Sequence, residues 1–295
     1  MMETLAQLQD FFVGPFAQYA FMQRALIGGL LIALSSAPVG VFLMLRRMSL
    51  TGDAMAHAIL PGAAIGFLLF GLEIVPMTFG GLFAGALVAA GAGMVARITV
   101  QKEDAAMAAF YLISLALGVM IVSLRGSSVD LMHVLFGSVL ALGTDSLIMI
   151  GTISTLTLGS LLIVWRALVA ECLDPGFLRS VSSWGPLVHF AFLALVVLNL
   201  VAGFQALGTL LSVGLMILPA ATARFWAKTA FSMCALAVAL AMVSVLAGLL
   251  VSFHADIASG PAIILAAGCL YIVSLLAAPR GVLSTRLPSR RHRVA

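Results

Sequence analysis

Long apolar runs broken by short polar or basic stretches dominate this chain from residue 21 onward. Runs able to cross ~30 Å of hydrocarbon, at about 20 residues each, lie near 21–45, 54–72, 76–97, 105–124, 146–168, 186–204, 207–225, 229–252 and 260–278. The pattern predicts an all-α polytopic membrane protein with nine spans, or eight as the alternative. Residues 1–20 carry Glu3 and Asp10 and no basic start, so a short interfacial helix is expected there rather than a cleaved secretory signal. Residues 129–143 are apolar but too short to cross, which points to a re-entrant or interfacial helix on the outer side.

Composition agrees with the pattern: 63% of the 295 residues are hydrophobic and 9% are charged, and the mean hydropathy is +1.20. A water-soluble fold is excluded on those values. Of the 15 Lys and Arg residues, all but Arg24 and Arg125 fall on one side if the N-terminus is outside and nine passes follow. The net charge of +4 therefore reflects topology and not a nucleic-acid partner. The basic tail, 281–295, becomes a solvated cytoplasmic end. Cys172, Cys234 and Cys269 have no C-x-x-C spacing and read as packing residues. Pro38, Pro61 and Pro219 fall inside predicted spans, where each leaves a carbonyl without its usual donor. Gly81 and Gly85 have small-x-x-x-small spacing, a weak signal in a membrane chain with 28 glycines.

Against this background the run from Arg46 to His57 stands out. Asp53 and His57 sit four residues apart at the start of an apolar helix, share one helical face, and suit a divalent cation. An ionisable group beside lipid costs roughly 2.5–3.5 kcal/mol even on a lenient insertion scale, so the pair calls for a reason. The plainer alternative makes Asp53 an N-cap and His57 a core histidine bonded to a nearby carbonyl. A cation site needs more ligands than these two. A two-fold homodimer meeting at this helix would bring two Asp and two His together, enough for four-coordinate Zn²⁺ or part of a Mn²⁺ shell. Nearly every other carboxylate lies in a loop or at a segment end, Glu171 and Asp174 among them. His133 in the short outer segment and the His254/Asp256 pair at the outer end of the eighth span are further candidates for cation capture or gating. A satisfied histidine and a loop cap are the corresponding alternatives.

The chain has no Gly-x-x-x-x-Gly-Lys-[Ser/Thr] phosphate loop, so it is expected to be a transport subunit and not an enzyme. Energy would come from a separate ATPase or an ion gradient. A proton-driven exchanger calls for several buried acids, and only Asp53 approaches that description. The polar stretch from Glu171 to Ser180 is of a size to dock on a cytoplasmic ATPase, or else is an ordinary connection.

Five segments, taken together and in order, resemble the permease subunits of the zinc, manganese and iron ABC importers (the ABC-3 family), its zinc permeases in particular. They are Arg46 to Ala58, Leu135 to Leu140, Asp174 to Phe177, Leu207 to Ala223, and Gly260-Pro261. The resemblance covers about 20 to 280. It implies an ABC importer permease fold in a bacterial inner membrane, with the N-terminus outside and the C-terminus cytoplasmic. It also implies a homodimer, a cytoplasmic ABC ATPase, an extracytoplasmic metal-binding protein, and no permanently bound cofactor. By motif, the family's intramembrane metal residues map to Asp53 and His57. Its ATPase-coupling segment maps to about 171–181, with Asp174, Pro175, Phe177 and Arg179. Zn²⁺ is the expected cargo, then Mn²⁺. Two departures are the absence of Pro between Asp256 and Gly260, and His133 where relatives usually carry Tyr. A permease for an organic cofactor or siderophore, a gradient-driven metal transporter and a membrane scaffold are the other classes.

Overall fold

The computed structural model describes residues 11–71, 73–123, 142–173 and 185–282. Ten helices account for most of them: α1 (Ala20–Leu45), α2 (Ser49–Ala58), α3 (Leu60–Phe70), α4 (Ile74–Ile98), α5 (Glu103–Ser123), α6 (Thr144–Leu173), α7 (Gly185–Leu207), α8 (Thr209–Trp226), α9 (Ala230–Ala255) and α10 (Ser259–Ala277). Among the described residues nine stretches are long and apolar enough to cross a membrane, with α2 and α3 together forming one of them. Residues 11–18 add a helical turn or two before α1. His133, the rest of the expected outer segment up to 141, and Asp174, Pro175, Phe177 and Arg179 lie outside the described residues.

Two boundaries differ from the hydrophobic pattern. The second span begins at Ser49, because α2 already runs as helix under the polar residues that precede the apolar run. The fifth continues from Thr144 to Leu173, well past 168, and carries Arg166 and Glu171 inside the helix. Backbone bonding does not stop where hydropathy falls. Asp174-Pro175 follows directly, a pair that disfavours helix at the residue before the proline.

Two sets of contacts identify the ends of the bundle. At one end the Arg280 guanidinium donates to the Ala227 carbonyl at 3.0 Å, and Arg46 reaches Glu171 at 2.9 Å. At the other, the rings of Tyr19 and Phe253 lie 5.4 Å apart. The core runs along α1, where Ala33, Ala37, Phe42 and Leu43 are buried, and continues through Leu193 and Leu200 of α7, Met216 of α8 and Val245 of α9. By contrast α4, α5 and α6 present Phe79, Phe83, Leu112, Ile113, Leu162 and Ile163 to the outside. Such apolar exteriors suit hydrocarbon, where helix association rests on close packing instead of water exclusion.

Close packing is most pronounced where backbones meet. A Cβ on Gly62 of α3 would fall 1.9 Å from the carbonyl oxygen of Gly80 on α4. Gly40 of α1 meets the Met216 carbonyl in the same way, at 1.8 Å. Gly81 and Gly85 seat the side chains of Ile59 and Val197, so their spacing serves side-chain packing rather than a backbone crossing.

The turn from α1 to α2 is equally tight. Arg47 takes the left-handed conformation at φ 60°. Its N–H donates to the Met44 carbonyl and that of Met48 to Leu43, the double bond of a Schellman turn with arginine where glycine is usual. Arg46 is thereby held as the C-cap of α1, and α2 leaves in a defined direction.

Gly62→Ala is expected to destabilise the detergent-solubilised protein by about 3 kcal/mol or more, the upper end of overpacking costs, because the obstacle is backbone. Gly268 has nothing within 4 Å of its added Cβ. Gly268→Ala should stay within about 0.5 kcal/mol of wild type. Thermal unfolding of the two variants side by side checks the difference.

Candidate cation site at a broken helix

Between α2 and α3 the second span is interrupted at Ile59, with Pro61 in the first turn of the second half. Proline has no N–H to return to the His57 carbonyl, which accepts from the Ile59 N–H instead. The same interruption leaves the Ala58 carbonyl to a donor from another helix. Ser114 of α5 supplies one donor, its hydroxyl reaching the Ala58 carbonyl at 2.9 Å. His57 stands in the last turn before this interruption.

Asp53 lies one turn earlier on the same face, and its Oδ1 is 3.9 Å from His57 Nε2. That separation is too long for a hydrogen bond. Two ligands on one zinc with bonds of 2.0–2.1 Å stand roughly 3.3 Å apart in a tetrahedron, so a small rotamer adjustment would suffice. The Asp53 side chain is 64% exposed and that of His57 32%, so the pair opens onto the outside of the protomer. His57 Nδ1 is buried and has no hydrogen-bond partner among the described residues. The His57 ring lies 6.3 Å from that of Tyr111 on α5, tilted by 31°.

These details bear on the plainer reading of the pair. The residue capping α2 is Met48, which makes no side-chain cap bond, so Asp53 in the second turn is not an N-cap. Asp53 and His57 are brought together. Among the described residues no group of three or more His, Cys, Asp or Glu side chains stands together as a metal site.

The other described pair sits apart, at the opposite end of the bundle from the start of α2. His254 stacks on Phe11 with centroids 4.0 Å apart, and its Nε2 donates to the Phe11 carbonyl at 3.2 Å. Asp256 occupies the left-handed C-cap of α9 at φ 52°, a conformation that aspartate tolerates better than most residues.

A second polar cluster was not apparent in the chain's pattern. Arg46 Nη2 donates to Glu171 Oε1 at 2.9 Å, with the two side chains 8% and 10% exposed. The same Nη2 donates to His189 Nδ1, and the guanidinium carbon stands 5.0 Å from the centre of the Phe192 ring. Glu171 thus belongs to the last turn of α6 rather than to the connection that follows. Each member looked like an ordinary end-of-span polar residue, and nothing local marked them as partners.

The model of the ABC 3 transport family matches residues 18–278. The chain belongs to the ABC 3 transport family. Among its relatives, the manganese import system permease protein ScaB of Streptococcus parasanguinis is 32% identical over 269 residues, covering 91% of this chain and 95% of the relative. The chelated iron transport system membrane protein YfeD of Yersinia pestis is 30% identical over 262 residues, covering 89% and 86%. The solved structure of PsaBC from Streptococcus pneumoniae in complex with a Fab matches this ABC 3 permease with a TM-score of 0.81 at 30% identity, over 91% of this chain and 96% of that one. A metal-chelate type ABC transporter in an inward-facing conformation shares the fold at a TM-score of 0.68 and 15% identity, over 86% and 85%.

Removing the donor that satisfies the break, by Ser114→Ala, is expected to lower stability by about 1–2 kcal/mol, as for a buried carbonyl left unpaired. Ser114→Thr should recover most of it. The melting temperatures of both variants in detergent decide the matter, and an unchanged value for Ser114→Ala would remove Ser114 from the account of the break.

Proposed function

We propose that this ABC 3 permease carries a first-row divalent cation inward across the bacterial inner membrane as a two-fold homodimer, with Asp53 and His57 of both copies lining the path. The observation that carries this reading is the open Asp53/His57 pair beside a broken transmembrane helix, facing out of the protomer with the carboxylate and Nε2 3.9 Å apart. One chain offers two donors. A second copy related by a two-fold axis would double them to four, a complete shell for zinc.

Mixed oxygen and nitrogen donors without thiolate suit a path. They attract the ion enough to strip part of its hydration, yet hold it loosely enough to release it. Zinc is our first assignment, because an Asp/His set holds Zn²⁺ more tightly than Mn²⁺. Manganese is the second reading, favoured by the relatives named as manganese permeases. An extracytoplasmic binding protein would deliver the ion, and a cytoplasmic ABC ATPase docking on Asp174, Pro175, Phe177 and Arg179 would drive alternating access. The distribution of Lys and Arg supports an outside N-terminus and a cytoplasmic C-terminus.

ATP-dependent uptake of ⁶⁵Zn²⁺ by proteoliposomes containing the chain, its ATPase and its binding protein tests the proposal. A single substitution in a homodimer removes a ligand twice. Asp53→Ala and His57→Ala should each reduce uptake by at least about tenfold while the complex still assembles, the equivalent of 1.4 kcal/mol or more. Excess Mn²⁺ should compete with zinc if both use the path, and Mn²⁺ uptake exceeding that of zinc would reassign the cargo. Uptake unchanged in both variants would reduce Asp53 to a surface carboxylate.

A further inference from the structure

The buried cluster of Arg46, Glu171 and His189 has no part in holding the cation, yet it joins three helices at one point. Arg46 is the C-cap of α1, fixed by the Schellman turn that launches α2. Glu171 sits in the last turn of α6, and His189 in the second turn of α7. The connection 174–184 leaves from the end of α6 and returns at the start of α7. Asp53 follows Arg46 by seven residues, with only the α1–α2 turn and the first turn of α2 between them. The cluster therefore stands between both ends of that connection and the helix that bears the Asp53/His57 pair.

Its chemistry suits a joint better than a fixed rivet. A buried ion pair is a weak source of stability, because desolvating the two charges offsets most of their attraction. Here the pair is also incompletely satisfied. Glu171 Oε2 and Arg46 Nη1 are buried and lack hydrogen-bond partners among the described residues. An arginine and a carboxylate have a second, bidentate arrangement with two parallel N–H···O bonds. In the structure the guanidinium is shared instead, with Nη2 directed at both Glu171 and His189 and the carbon over Phe192. The same residues can exchange one arrangement for the other when α6 and α7 shift relative to α1, and discrete alternatives of this kind carry coupling between sites.

We propose that Arg46, Glu171 and His189 are positioning residues that pass movement of the adjoining ends of α6 and α7 to α2, so that opening of the cation path stays tied to ATP hydrolysis. This rests on the importer reading above. Arg46 is the moving part. Glu171 holds it from α6, while His189 and Phe192 hold it from α7.

The test measures metal uptake and ATP hydrolysis in the same proteoliposomes, for wild type, Glu171→Gln, Arg46→Lys and the exchanged pair Arg46→Glu/Glu171→Arg. The first two keep approximate shape and polarity but lose the shared, charged geometry. Both should assemble with the ATPase and hydrolyse ATP within about twofold of wild type, while ions transported per ATP fall by about tenfold. The exchanged pair should recover part of the ratio. A ratio unchanged in the assembled variants overturns the proposal. So does a parallel fall of uptake and hydrolysis at constant ratio, or failure of every variant to assemble, since either leaves the cluster purely structural. Absence of metal uptake by wild type would instead overturn the importer reading, so the two failures are distinguishable.

Discussion

The interruption of the second span at Ile59, just before Pro61, organises the middle of this protein. Inside hydrocarbon each backbone polar group has to find a protein partner, so a transmembrane helix is interrupted only where its neighbours compensate. At the break between α2 and α3, Ser114 of α5 caps the Ala58 carbonyl. Gly62, the residue after Pro61, lets α4 approach until backbones touch. Ile59, at the interruption itself, is seated against Gly81 and Gly85. The break is thus clamped from α4 and α5 together, which fixes the rotation of α2 and turns Asp53 and His57 outward.

Two kinds of polar group follow from this arrangement, and they obey different economies. Asp53 and His57 stay partly exposed and make no hydrogen bond to each other, which leaves their lone pairs available. Arg46, Glu171 and His189 are nearly buried and turned on one another. In the first group solvation is kept and ligands are free. In the second, desolvation has to be offset by mutual attraction, and the offset is partial because two buried atoms have no hydrogen-bond partner among the described residues. A membrane protein retains buried ionisable groups where they carry function more readily than where they only pack.

The nine spans were readable because roughly 20 apolar residues in a row leave few alternatives in a lipid-facing chain. Asp53 and His57 were readable as a pair because their spacing is local, and helix geometry converts i and i+4 into one face. Proline alone did not show which span breaks, because Pro38 and Pro219 lie within continuous helices while Pro61 stands at the interruption. The Arg46 cluster was not readable. Glu171 and His189 lie 125 and 143 residues from Arg46 along the chain, and no helical period reports which span ends stand side by side. Ser114 was hidden for the same reason, as one hydroxyl among many whose value depends on a carbonyl from another helix. The end of α6 was misjudged because polar residues close the apolar run at about 168, whereas the helix continues to Leu173.

Exposure of the Asp53 carboxylate also limits how the chain is assembled. A carboxylate on a lipid-facing wall would be neutralised or would draw water to itself, both unfavourable beside α4 and α5, whose outer faces carry Phe79, Phe83, Leu112 and Ile113. One placed on a symmetry axis avoids both fates, because the second copy encloses it and brings the same donors from the opposite side. In the proposed homodimer the enclosed ligands would sit far enough apart to admit an ion and close enough to hold it briefly. On this reading the protomer is half of a site. In that proposed assembly the 3.9 Å gap within each half and the outward face of α2 would let two incomplete halves make one path.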